Sequence, residues 1–167
     1  AWLSPRLGKF QMNHPNLAVR LETSDTLVDF AREDITVAIR AGAGVWPGLE
    51  AHHLMAVEYT PMISPELARR HVLSEPADLL KLPLLDPGDE NWALWMKTAG
   101  VERWEDYRKP GLTMSTDLHE ARAALAGYGV ALLQPDFFRY ELATGGLIQP
   151  FPIISRSGRG FYLAYPK

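Results

Sequence analysis

The sequence predicts an α/β fold. Helical and strand periods alternate along the chain, and short apolar runs at Ile35–Ile39 and Val130–Leu133 read as buried strands. Hydroxyl-rich caps stand where extended segments give way to helices. The 167 residues suffice for one domain or two small lobes with a real core. With 47% hydrophobic and 22% charged residues, disorder, collagen and coiled coil are excluded.

The first element is a helix over residues 2–13, because Leu3, Leu7 and Phe10 recur at i, i+4, i+7. Pro5 fits only in its first turn, and Asn13-His14-Pro15-Asn16 ends it. Leu17 to Glu22 alternates apolar and polar residues, which predicts a strand. Thr23-Ser24-Asp25 then offers N-cap oxygens to a short helix carrying Leu27, Phe30 and Ala31. The run from Ile35 to Ile39 predicts a buried strand of a parallel sheet, and Gly42, Gly44, Pro47 and Gly48 a loop.

Residues 51–63 read as a long extended segment. Ser64-Pro65-Glu66 caps a helix with proline at its first position, and Ser74 to Leu80 begins another. Leu82 to Leu85 is a short strand. Trp92, Trp95, Met96 and Ala99 mark an amphipathic helix that ends at Gly100. Leu112 to Met114 is strand-like, Ser115-Thr116-Asp117 caps a helix through Ala126, and Val130 to Leu133 is a buried strand. Pro135 starts a helix that ends near Gly145-Gly146. Ile148 to Ile154 is extended, Ser155 to Gly160 is a polar turn, and Phe161 to Tyr165 is a last strand.

Composition narrows function. Seventeen basic and 20 acidic residues divide evenly along the chain, so no basic block offers a nucleic-acid face. No apolar stretch approaches the length of a spanning helix, and the first residues do not read as a signal peptide. The absence of cysteine excludes disulfides and thiol chemistry and is compatible with a reducing cytoplasm. His52 and His53 are strand neighbours whose side chains point to opposite faces, and no HxxxH spacing exists, so no metal site is expected. Ser115, Asp117 and His119 lie in one helical turn and cannot form a triad. The glycines at 42, 44 and 48 miss the dinucleotide spacing, and Pro47 interrupts the place where the helix should begin. No cofactor is expected.

What remains is a repeated theme. Thr23-Ser24-Asp25, Ser64-Pro65 and Ser115-Thr116-Asp117 each stand between an extended segment and a helix. Small hydroxyls and free helix N–H groups suit an anionic or polar small molecule, and Arg40 at a strand end adds a positive charge. Plain capping explains each cap singly; convergence of the three would not be explained that way. Trp46 is the one tryptophan placed to act as a ligand wall.

The run Trp2-Leu3-Ser4-Pro5-Arg6-Leu7-Gly8-Lys9-Phe10, followed by His14-Pro15 and Glu22-Thr23-Ser24-Asp25, resembles the effector-binding domain of LysR-type transcriptional regulators. Leu27 to Glu33, Val37 to Gly42, Ser64-Pro65-Glu66-Leu67, Pro76 to Leu80 and Pro83-Leu84-Leu85 continue the likeness. Ala123 to Leu133 is its most specific match, and Glu141 to Leu147 with Phe161 to Pro166 completes it. Trp46-Pro47-Gly48-Leu49 and the Trp92–Trp95 helix are similar to the subgroup of glycine-cleavage activators and β-lactamase regulators.

The resemblance implies a type 2 periplasmic-binding-protein-like fold: two Rossmann-like lobes joined by crossover strands. The first lobe would be residues 1–60 with 150–167, the second 61–149. It implies an effector held between the lobes by Thr23, Ser24, Arg40 or its neighbour Ala41, Ser64, Ser115 and Thr116, with an aromatic near Phe161. A carboxylate suits these groups. It further implies a cytoplasmic regulator whose effector domains form a homodimer, the 2–13 helix of one against the 117–126 helix of the other. The full-length form would be a tetramer, and DNA would be bound only through an N-terminal helix-turn-helix that this chain lacks. The family's first effector-domain strand and its C-terminal helix are also missing from the pattern. Two rivals share the scaffold. One is a transporter's solute-binding protein, which needs an export signal; the other is an enzyme, which needs a general acid or base among the ligand contacts.

Overall fold

The computed structural model describes residues 2–24 and 26–167. Asp25 of the first cap lies outside the described residues. Five α-helices and four strands are formed among them: α1 (Leu3–Asn13), β1 (Ala38–Gly42), β2 (Leu49–Met62), α2 (Pro65–Arg69), α3 (Glu90–Thr98), α4 (Asp117–Leu125), β3 (Ala131–Leu133), α5 (Arg139–Thr144) and β4 (Ser155–Pro166). The strand order is β1-β4-β2-β3.

Contacts divide the chain into two compact units. The larger holds the segment up to Arg20 and Glu58–Ser155; the smaller holds Leu21–Val57 and Arg156–Lys167. The sequence reading sets its boundaries at 60/61 and 149/150 and keeps the first 20 residues with the smaller lobe. In the structure these residues group with the larger unit. The division after Val57 falls inside β2 and that after Ser155 at the start of β4, where no change of composition marks them.

The larger unit is built on a strand buried on both faces. All three residues of β3 are buried, and β3 pairs antiparallel with the end of β2 through Thr60↔Leu133, Pro61↔Leu132 and Met62↔Ala131. Because strand side chains alternate, Val130 and Leu132 join one cluster with Ile63, Leu79, Trp92, Trp95, Met96 and Phe151. Ala131 and Leu133 join a second with Met62, Ala121, Ala124, Phe138 and Leu147. The expected strand at Leu82–Leu85 is reduced to a parallel bridge between Leu84 and Val130. The Pro76–Lys81 segment is a 3-10 helix. Its Asp78 carboxylate accepts from the backbone N–H groups of Ser74 and Glu75. The hydrogen bond from Lys81, then those backbone donors, hold that carboxyl down at about 2.

The smaller unit pairs β1 antiparallel with β4, in the register Ala38↔Ala164 to Gly42↔Gly160. Four expectations fail in or beside it. Leu17 to Glu22 forms no strand, and Leu17, Val19 and Leu21 stay exposed. The short helix expected to carry Leu27, Phe30 and Ala31 does not form. Asp29 instead bends the chain, its carboxylate accepting from the Ala31 N–H and its N–H donating to Glu33 Oε1. The apolar run at 35–39 yields a strand only from Ala38, antiparallel and half exposed rather than parallel and buried. The polar turn at 155–160 is absorbed into β4, with Gly158 at φ 78° inside the strand.

Few apolar side chains of this unit are fully buried, Val57 and Ala164 among them, while Leu27, Val37, Ile39 and Leu54 are exposed. Opening therefore costs less here than around β3. Amides of β1 are expected to exchange with deuterium at least tenfold faster than those of Ala131–Leu133; equal protection in a hydrogen-exchange time course would contradict this.

Candidate functional site

The three hydroxyl clusters meet different fates. Ser64 is 4% exposed and its Oγ accepts from the Leu67 N–H at 3.1 Å, so it caps α2. Thr116 caps α4, with Oγ1 3.4 Å from the His119 N–H, while Ser115 before it is exposed. The Ser64 hydroxyl lies 3.5 Å from the position a Cβ would take on Gly127, at the C-terminal end of α4. Ser115 and Thr116 open the N-terminal end of the same nine-residue helix, about 13 Å away along its axis. The structure therefore does not bring Ser64 together with Ser115 and Thr116. No strand precedes Ser115 either, since 112–114 is irregular.

Thr23, Ser24, Arg40 and Phe161 belong to the smaller unit. Thr23 and Ser24 are exposed, and with no helix behind them they cap nothing. The Ser24 hydroxyl instead accepts from the Thr26 N–H at 3.1 Å. Arg40 donates from Nη2 to the Val28 carbonyl, and its guanidinium lies 5.2 Å over the Phe30 ring. Its Nε is buried without a partner. Arg40 is the Cα partner of Tyr162 and Ala41 that of Phe161, so Arg40 and Phe161 project from opposite faces of the sheet.

The glycine-rich loop is filled by Trp46 of the loop and Tyr162 of β4. A Cβ on Gly42 would stand 2.8 Å from the Trp46 ring, and one on Gly44 2.6 Å from the Tyr162 ring. Trp46 meets Tyr162 edge-on at 5.7 Å, which makes it packing within its unit. His53 meets Tyr162 edge-on at 5.1 Å, while His52 bonds the Tyr165 hydroxyl at 3.0 Å on the opposite face, as alternation requires.

One constellation escapes the sequence reading. Glu120, in the first turns of α4, is 6% exposed. Burial, reinforced by Asp117, Asp86 and Asp89, pushes its carboxyl up to about 8. Asp117 is raised to about 6 by burial and by Asp89. Acidic residues in a first helical turn ordinarily read as dipole complements on a solvated face, so a buried one leaves little trace in sequence.

With the geometry in view, the fold is that of a type 2 periplasmic-binding-protein-like α/β effector domain. A family model described as the LysR substrate binding domain matches residues 1–167. This chain belongs to that family. It is 37% identical over 166 residues to the HTH-type transcriptional activator AmpR of Rhodobacter capsulatus, covering 99% of this chain and 55% of that protein. It is 34% identical over 164 residues to the glycine cleavage system transcriptional activator of Escherichia coli K12, covering 97% and 53%. The chain thus spans about half the length of the curated relatives it matches. Among solved structures, the effector domain of AmpR of Pseudomonas aeruginosa superposes with a TM-score of 0.82 at 34% identity, covering 99% of this chain and 79% of that one. These relatives are transcriptional regulators, not enzymes.

Proposed function

We propose that this chain is the ligand-sensing part of a cytoplasmic LysR-type regulator. It binds a small polar or anionic effector and relays binding to a DNA-binding domain outside the chain. The family match over residues 1–167 is the observation that carries this reading. Of the sequence-derived contacts, those proposed to touch the effector are Thr23, Ser24, Arg40, Ser115 and Thr116; Ser64, buried as the cap of α2, and Phe161, on the sheet face away from Arg40, are set aside. Arg40 is the group suited to a carboxylate; its charge stands beside a carbonyl and a ring, and its Nε has a donor to spare. At the start of α4, Asp117 opposes a second anion, so Ser115 and Thr116 suit a neutral polar part of the ligand.

The effector shifts a conformational equilibrium by binding one state more tightly than the other. A homodimer would carry that shift onward. Its support is apolar surface: α1 has no buried side chain, Phe10 and Met12 are exposed, and α4 exposes Leu118.

Thermal-shift screening of carboxylates and polar metabolites finds the ligand, because binding to the folded state alone raises Tm. Thr116→Ala should then cost about 1 kcal/mol of stability through the lost cap. It should also weaken binding of the hit on the order of tenfold, about 1.4 kcal/mol, with Thr116→Ser restoring both. A calorimetric affinity unchanged in Thr116→Ala would remove Thr116 from the site.

A further inference from the structure

The stretch from the 3-10 turn Trp104–Asp106 to the start of α4 is irregular, yet three contacts fasten it to the segment before α3. The Asp86 N–H donates to the Leu112 carbonyl at 2.7 Å. Arg108 donates from Nη1 to the Pro87 carbonyl at 3.0 Å. Gly111 lies so close that a Cβ there would stand 2.5 Å from the Leu84 carbonyl oxygen and 2.7 Å from the Pro87 ring. Between the two segments is a pocket of about 330 Å³, lined wholly by residues of the larger unit. That volume suits a small organic molecule.

The lining carries two cations, Arg108 and Lys109, and no acid. The Arg108 guanidinium lies 5.5 Å from the Trp104 ring, and Trp104 is 4% exposed and fixed in the core cluster. The Pro87 carbonyl takes one nitrogen of the guanidinium, which leaves N–H groups on the others. Arg70, Lys81, Arg103 and Arg139 of the same unit each pair with a carboxylate three or four residues away. Among the described residues neither Arg108 nor Lys109 has such a partner. Pro87 and Pro110 add apolar walls, and Thr113 a hydroxyl. Asp86 borders the pocket, its Oδ1 4.0 Å from where a Cβ on Gly88 would stand. That charge opposes a dianion more than a monoanion.

We propose that this pocket binds a small monocarboxylate with a short apolar body. The Arg108 guanidinium takes the carboxylate, a planar group that its fork fits. Lys109 adds a second positive charge and Thr113 a hydrogen bond, while the apolar body lies against Pro87 and Pro110. Because the three contacts already shape the pocket, binding loses little to ordering the loop. None of these residues is among the effector contacts proposed above, so the site stands apart from that reading.

The test is a nitrogen-15 NMR titration of the 167-residue chain with butyrate, and with butyramide as its neutral counterpart. Butyrate should give saturating shifts at the amides of Gly88, Gly111 and Thr113 and at the Arg108 side-chain N–H; butyramide should give none. Arg108→Gln should weaken binding at least about fivefold and Lys109→Gln about twofold, since a charge-assisted hydrogen bond outweighs a nearby charge. High salt should weaken binding to the parent chain. If Arg108→Gln loosens the loop, seen as altered amides at Asp86 and Leu112, Lys109→Gln and the salt dependence decide. Butyramide saturating as butyrate does overturns the proposal. So do butyrate shifts that never saturate, an affinity unchanged in both variants, or shifts confined to Val28 and Arg40, which would place butyrate at the proposed effector contacts. Inorganic phosphate binding more tightly than butyrate overturns the assignment to monocarboxylates. Each failure leaves the effector reading standing, since that is judged by Thr116→Ala.

Discussion

Trp92→Ala is expected to destabilise the chain by about 3–5 kcal/mol, the range for deleting a fully buried aromatic. Trp92 is 0% exposed and sits in the cluster with Ile63, Leu79, Met96 and Phe151. Its ring meets Trp95 edge-on at 6.3 Å, a pairing that adds to burial. Its Nε1 donates to the Leu85 carbonyl at 2.9 Å, so alanine removes a donor as well as volume. Urea denaturation should show a lower midpoint with an unchanged slope. A loss below about 1 kcal/mol would mean that α3 collapses into the space and that the cluster is not jigsaw-packed.

Gly129→Ala should be costly for a change that adds only one methyl. Its Cβ would lie 2.8 Å from the Pro83 carbonyl oxygen and 3.1 Å from the Leu85 side chain. That oxygen accepts from the Val130 N–H at 2.8 Å, and Val130 in turn accepts from the Leu85 N–H at 2.9 Å. The backbone cannot withdraw without breaking the bridge that ties 83–85 to β3. Overpacking of this kind costs about 1–3 kcal/mol. Loss of hydrogen-exchange protection at Leu85 and Val130 beyond the global change would locate the damage; protection that falls uniformly would place it elsewhere.

Local chemistry made much of the larger unit legible. Ser64 before Pro65, and Thr116 before Asp117, are cap residues whose side chains bond the next turn whatever surrounds them. Gly100, Gly127 and Gly145 all take positive φ just past their helices, which glycine does at no steric cost. The apolar run at Val130–Leu133 yields a strand buried on both faces because neighbouring layers supply both clusters. The family pattern, read in order along the chain, led to the same fold as the structural comparison.

The smaller unit resisted for a different reason. A strand is completed by a partner, and alternation at Leu17–Glu22 says which side chains share a face, not whether a ladder exists. At 23–31 the capping residues were right for a helix, but Asp29 and Glu33 satisfied the local N–H groups in a turn instead. A polar, glycine-bearing stretch such as 155–160 reads as a turn until an adjacent strand holds it extended.

The candidate site divides along the same line. Sequence by itself determined the family, the hydroxyl clusters and the helix caps, because each depends on residues adjacent in the chain. Tertiary structure alone decided that Ser64 and Thr116 stand at opposite ends of α4, and that Arg40 and Phe161 leave opposite faces of the sheet. It alone buried Glu120 of α4. Burial and charge are sums over neighbours distant in sequence, so the identity of a glutamate cannot announce them.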